Sequence, residues 1–103
     1  MIETAAEDEP WQAAREFVRA REDARTDLMR ARHRLSKLLL RQGLVWPKSA
    51  WSREHGVWLN QLSFSYAPLM LSFDEAHWAV QQATSRRDRL HDSALVGIVG
   101  GSL

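Results

Sequence analysis

Four basic side chains recur in one stretch of this sequence at spacings of three and four residues, namely Arg30, Arg34, Lys37 and Arg41. At about 100° per residue, a helix would place all four within about 60° of one another, as a single stripe. Residues 28 to 53 contain seven Lys or Arg and no Asp or Glu. A row of one sign without interleaved carboxylates suits contact with phosphate groups better than ion pairing along the helix.

The same stripe has a simpler interpretation. Its bases lie towards the C-terminal end of the helix, where the helix dipole already favours cations. Earlier in the helix the same face is mixed, with Glu16, Arg19, Asp23 and Asp27. The stripe is therefore either a phosphate-contacting surface or an ordinary solvated face.

Composition narrows the class of protein. The 103 residues are enough for one domain, and the formal net charge of +1 conceals an acidic start and a basic middle. The absence of cysteine excludes disulfides and thiolate metal sites and is typical of a cytoplasmic protein. An acidic N-terminus is not typical of a signal peptide, and no apolar run approaches the ~20 residues of a membrane span, so no membrane partner is expected.

No catalytic constellation is visible among the titratable residues. The histidines, at 33, 55, 77 and 91, lack the spacing of metal ligands, and Asp74 and Glu75 point in different directions on a helix. No glycine-rich phosphate loop follows a strand. The sequence therefore predicts no catalytic residue, no metal and no cofactor.

Tryptophans are concentrated between the two long apolar stretches of the chain. Trp46, Trp51 and Trp58 flank Lys48 and Arg53, a combination that suits stacking on nucleic-acid bases. Alternatively, the three indoles fill the end of a helical hairpin, where two helices alone cannot close a core.

Two stretches carry apolar residues at alternating spacings of three and four, the pattern of a coiled-coil seam. Pro10 suits the first helical turn and Gly43 the C-terminal stop, which predicts a first helix over 10–42. A short helix capped by Ser52 is predicted over 53–62, and a third helix over 67–92. The first seam comprises Ala14, Phe17, Arg21, Ala24, Leu28, Ala31, Leu35 and Leu38. The second comprises Leu69, Phe73, Ala76, Val80, Ala83, Arg87 and Leu90.

Together these elements predict an all-α fold, an antiparallel helical hairpin or coiled coil with a short helix at its tip, over 10–92. Residues 1–9 are predicted to form an acidic flexible arm and 93–103 a glycine-rich tail. The simplest register brings Arg21 near Arg87. Burying two arginines side by side is unfavourable unless a carboxylate such as Asp88 lies between them. Otherwise the register differs, or the open end of the hairpin is hydrated or contacts a partner.

Four stretches of the chain resemble the middle segment of DEDD-type insertion-sequence transposases, the family associated with a bridge RNA that guides recombination. They are REFVRAREDARTDLMRARHRLSKLLLRQGLVW, AWSREHGVWLNQLSF, LSFDEAHWAV and SRRDRL. The resemblance covers about residues 11 to 91, is dense in the first helix and is looser after Leu62.

The resemblance implies a helical segment between a RuvC-like nuclease domain, which carries an acidic tetrad, and a transposase domain, which carries a serine nucleophile. Neither domain lies within these 103 residues, so the resemblance implies no enzyme activity of the chain on its own. It does imply help in assembling protomers and contact with nucleic acid. After about Asp92, where the third helix of the family should continue, the sequence departs from the family pattern. A truncated or frame-shifted remnant of a transposase gene would explain this departure.

Two functional hypotheses follow. In the first, the chain is a non-catalytic transposase segment involved in DNA transposition and recombination, and it binds a guide-type RNA or DNA backbone through the basic stripe. In the second, the chain is a stand-alone helical association module. It forms a homodimer, or it binds intact transposase and interferes with that protein's assembly. The residues assigned to that association are Phe17, Leu28, Leu35, Leu38, Leu69, Phe73, Val80 and Leu90.

Overall fold

The computed structural model describes the backbone of residues 10–101 and the side chains of 10–94. The chain order is α1 (Pro10–Arg41), α2 (Arg53–Gln61) and α3 (Ala67–Gly101), and no strand occurs in the described residues. Ion pairs join Asp27 to Arg86 and Arg34 to Glu75, so α1 and α3 pair in antiparallel order. The predicted all-α fold with a helical hairpin is confirmed.

The end of α1 is set by a glycine. Gly43 has a φ of 77°, a conformation that costs little only without a Cβ. The N–H of Leu44 donates to the carbonyl of Leu39 at 2.9 Å, and the N–H of Gly43 donates to that of Leu40 at 2.9 Å. These bonds satisfy carbonyls that the helix end would leave unpaired.

The start of α2 depends on Ser52, the predicted cap. Its backbone is extended, with φ −82° and ψ 172°, and its hydroxyl accepts a hydrogen bond from the N–H of His55 at 3.2 Å. The residue before it, Trp51, has a φ of 64°, which side-chain-bearing residues adopt rarely. The connector therefore turns sharply into α2 through one unfavourable backbone conformation.

The chain divides into two compact units. The first unit consists of the described residues up to Leu28 and from Ala83 onwards, and the second of Met29–Gln82. In the first unit Ala24 and Leu28 are buried, and both are seam positions. In the second unit the buried apolar residues are Leu35, Leu38, Leu39, Leu59, Phe73, Ala76 and Val80.

Two sequence expectations differ from the structure. The third helix continues to Gly101 instead of ending near Asp92 in a separate tail. Glycine weakens a helix by roughly 1 kcal/mol relative to alanine, but extending an existing helix needs no new nucleation, and no proline follows Pro68. Ala14 is exposed, so the packed part of the first seam begins at Phe17. The predicted acidic arm lies outside the described residues.

Candidate nucleic-acid interface

The basic stripe lies on α1 within the second unit. All four of its side chains are exposed, namely those of Arg30, Arg34, Lys37 and Arg41. The seam residues Leu35 and Leu38 of the same helix are buried. Burial of the seam therefore fixes which face of α1 carries the bases. Among the described side chains, none forms an ion pair with Arg30, Lys37 or Arg41.

A carboxylate from another helix lies beside the stripe. Nη1 of Arg34 is 3.6 Å from Oε1 of Glu75 on α3, and both side chains are about two-thirds exposed, at 65% and 63%. Exposed ion pairs contribute roughly 0–1 kcal/mol, so a phosphate could compete for this guanidinium. The sequence interpretation considered only carboxylates on the same helix and therefore missed Glu75.

An aromatic cluster packs around His55 in the same unit. Its imidazole is 4% exposed and stacks against the rings of Trp46 and Trp58, with centroids 5.5 and 5.7 Å apart. The ring of Trp51 lies 4.7 Å from the imidazole between centroids, and the backbone N–H of Trp51 donates to Nδ1 of His55 at 2.7 Å. The three indoles thus pack around a buried histidine, which favours the packing interpretation over free stacking platforms.

The environment of His55 disfavours its charged form. Burial lowers the pKa of His55 first, and the positive charge of Arg32 and the nearby His77 lower it further. The hydrogen bond from Trp51 also requires an unprotonated Nδ1. The neutral imidazole is therefore the form that this cluster accommodates.

A pocket of about 240 Å³ opens beside the aromatic cluster. Its walls include Ser36 and Leu40 of α1, each of which directly precedes a member of the basic stripe. Apolar and aromatic walls come from Leu44, Val45, Trp46, Ala50 and Trp58. The second unit therefore combines exposed cations with an adjacent apolar recess.

The residues assigned to association occupy two environments within the chain. Leu28, Leu35, Leu38, Phe73 and Val80 are buried in it, while Phe17, Leu69 and Leu90 are half-buried. A separate apolar row is exposed on α3, where Leu71 is 69% and Trp78 is 58% exposed. The two are seven positions apart, so they lie on one helical face.

Within the described residues, no helix is long and apolar enough to cross a membrane, and no group of three or more His, Asp or Glu could hold a metal ion.

Comparison with known proteins finds a similarity to an insertion-sequence transposase. The chain is 36% identical over 72 residues to the transposase for insertion sequence element IS1533 of Leptospira borgpetersenii. The matched region covers 68% of this chain and 21% of that transposase, so the chain spans about a fifth of the length of the curated relative. No protein-family profile matches the chain, and no solved structure matches it. The comparison supports the predicted similarity to part of an insertion-sequence transposase.

Proposed function

We propose that this chain acts as the helical connecting segment of a DEDD-type insertion-sequence transposase and contacts nucleic-acid phosphates through its basic stripe. The observation that carries the proposal is the exposure of four same-sign side chains on one face of α1. The similarity to an insertion-sequence transposase supplies the context in which such a surface would meet nucleic acid. In this proposal the segment positions nucleic acid, and it contributes no catalytic residue.

The choice of arginine supports phosphate as the ligand. Twelve of the fourteen basic residues are arginine, including three of the four in the stripe. A guanidinium donates two parallel hydrogen bonds to a phosphate, whereas a lysine acts as a point charge. A guide-type RNA is the proposed partner because the adjacent apolar pocket could take an unpaired base, which a regular duplex does not offer.

The test compares two triple variants of equal charge. Arg30→Gln, Lys37→Gln and Arg41→Gln remove the three stripe cations that pair with no described side chain. Arg15→Gln, Arg19→Gln and Arg89→Gln remove three exposed arginines elsewhere. Binding to a structured RNA and to a DNA duplex of equal length is measured by fluorescence anisotropy over a range of salt concentrations.

We expect the stripe variant to bind more weakly and its plot of log K against log salt to flatten by roughly 2–3. The control triple should retain most of the original slope. Equal losses in the two triples would assign the binding to net charge alone and would contradict the proposed interface. A preference for duplex DNA over structured RNA would contradict the guide-RNA partner.

A second candidate function is self-association, which the exposed row of Leu71 and Trp78 favours. Large apolar side chains aligned on a helix face are typical of interfaces. In this case sedimentation velocity should show a dimer that dissociates on dilution, and Leu71→Gln with Trp78→Gln should make it monomeric. Val18→Gln, at an exposed position on α1, is the matched control. A monomer at all concentrations would exclude the homodimer and leave intact transposase as the partner to test.

A further inference from the structure

The arginines of the two seams meet in one groove of the first unit. Arg21 of α1 and Arg87 of α3 both line a groove of about 400 Å³, together with Arg25, Asp88, Leu90 and His91. Both arginines are half-buried, at positions where the seam pattern calls for an apolar residue. The groove thus holds three guanidinium groups on walls that a coiled coil would normally fill with hydrocarbon.

Two of these guanidinium groups already have a carboxylate partner. Nε and Nη2 of Arg87 donate to Oδ1 of Asp88 at 3.1 and 3.0 Å, and Nη1 of Arg25 lies 3.2 Å from Oε2 of Glu22. In the part of the chain with described side chains, no carboxylate pairs with Arg21 and no acceptor takes its hydrogen bonds. Arg21 is therefore an uncompensated cation that faces two others.

Such an arrangement is unfavourable without a ligand. A half-buried guanidinium loses part of its hydration, and the charges of Arg25 and Arg87 repel it. A tetrahedral oxyanion would reverse both penalties because it accepts the paired hydrogen bonds of Arg21 and attracts its neighbours. The carboxylate of Asp88 opposes an anion, but its charge is already engaged by two hydrogen bonds from Arg87.

We propose that this groove is a binding site for a phosphate group, with Arg21 as its principal ligand and Arg25 and Arg87 on either side. The group could belong to free phosphate or to the backbone of a nucleic acid, since both present the same oxygens to a guanidinium. This site lies in the first unit and uses none of the stripe residues, so it stands independently of the proposed function.

The first experiment titrates inorganic phosphate into the full chain, labelled with ¹⁵N, at constant ionic strength. The Nε–Hε signal of Arg21 should shift and saturate, with smaller changes at Arg25 and Arg87. Arg19, which is exposed and paired with Glu16, is the internal control. Equal, non-saturating shifts at Arg19 and Arg21 would show general ion screening and would overturn the site.

The second experiment compares thermal unfolding of the wild type, Arg21→Gln and Arg19→Gln in phosphate and in chloride. Phosphate stabilises proteins in general, so only the difference between variants is informative. We expect the phosphate-dependent rise in Tm to be about 2–5 °C larger in the wild type and in Arg19→Gln than in Arg21→Gln. An equal rise in all three would contradict the proposal.

Nucleic acids and inorganic phosphate, titrated separately, distinguish the two possible sources of the phosphate group. If duplex DNA and RNA shift the Arg21 signal at concentrations where inorganic phosphate does not, the group is a backbone phosphate. If inorganic phosphate alone saturates the signal, the site takes the free ion. If none of these ligands shifts the Arg21 signal selectively, the groove is not a phosphate site. Loss of nucleic-acid binding in the stripe variant would leave the inorganic phosphate result unchanged, so the two proposals fail separately.

Discussion

The two compact units contain parts of the same two long helices but are stabilised by different interactions. The second unit buries Leu35, Leu59 and Phe73 and encloses an aromatic cluster. The first unit buries only Ala24 and Leu28 among its described apolar side chains, and most of the ion pairs of the described chain lie in it. A continuous heptad-like pattern in the sequence therefore does not imply uniform stability along the hairpin.

This difference has a physical cause in the size of the seam residues. Alanine and arginine occupy five of the eight seam positions in the first unit, whereas leucine, phenylalanine and valine occupy five of the seven in the second. Each fully buried large apolar side chain contributes about 1.5–3 kcal/mol, while an exposed ion pair contributes roughly 0–1 kcal/mol. We therefore expect the second unit to unfold last.

The largest effect should come from removing an aromatic ring in the second unit. Phe73 is 1% exposed and contacts the rings of Phe64 and His77. Phe73→Ala should cost about 3–5 kcal/mol in the free energy of unfolding because it leaves a cavity. Phe17→Ala, at a half-buried seam position of the first unit, is the control and should cost clearly less. Urea unfolding followed by circular dichroism measures both, and equal costs would contradict the greater stability of the second unit.

Acid should weaken the second unit selectively. Burial lowers the pKa of His55 and of His77, although Asp74 opposes the shift at His77. Protonation therefore favours the unfolded chain. The stabilisation is complete above the ordinary histidine pKa of about 6.5 and is lost as the pH falls from there towards the lowered folded-state pKa. Unfolding curves between pH 7.5 and 5 should show this loss, and His55→Asn should reduce it; an unchanged pH dependence would remove His55 from this role.

Two glycines of the second unit should respond in opposite directions to alanine. Gly43 has a positive φ, so Gly43→Ala should cost about 1 kcal/mol through backbone strain. Gly56 lies within α2, and an added Cβ there meets no atom within 4 Å. Gly56→Ala should instead stabilise by roughly 0.5–1 kcal/mol, because alanine restricts the unfolded chain and favours the helix. Thermal unfolding of the pair checks the sign, and destabilisation by Gly56→Ala would contradict the local geometry.

The smallest effect should come from an ion pair of the first unit. Nη1 of Arg86 lies 2.7 Å from Oδ2 of Asp27, but the side chains remain 41% and 50% exposed. Asp27→Asn should therefore cost less than about 1 kcal/mol and should cost still less in concentrated salt. A larger, salt-independent loss in urea unfolding would show that ion pairs sustain the first unit more strongly than exposure suggests.

Local patterns in the sequence were sufficient for much of this fold. The three-four spacing predicts the buried seam, Gly43 predicts the end of α1, and Ser52 predicts the start of α2, because each depends on neighbours within a few residues. The glycines after Asp92 predict an end to α3, but the helix continues to Gly101 because glycine only weakens a helix that has already formed.

The candidate sites depend on contacts that sequence spacing does not contain. The angular position of Arg34 on α1 follows from helical geometry, but its proximity to Glu75 depends on how α1 pairs with α3. Similarly, nothing in the spacing of four histidines indicates that His55 alone would be buried among indoles. Arg21 and Arg87 line one groove. The sequence predicts their proximity only if the register of α1 against α3 is assumed.

The backbone N–H of Trp51 lies outside every helix, yet its hydrogen-bond acceptor is a buried imidazole. Amide hydrogens in connectors normally exchange rapidly with solvent deuterium, whereas those in helices exchange slowly. Trp51 should therefore carry one slowly exchanging hydrogen within an otherwise fast-exchanging segment. Its exchange rate would report the integrity of a single ring nitrogen contact, independently of the helices on either side.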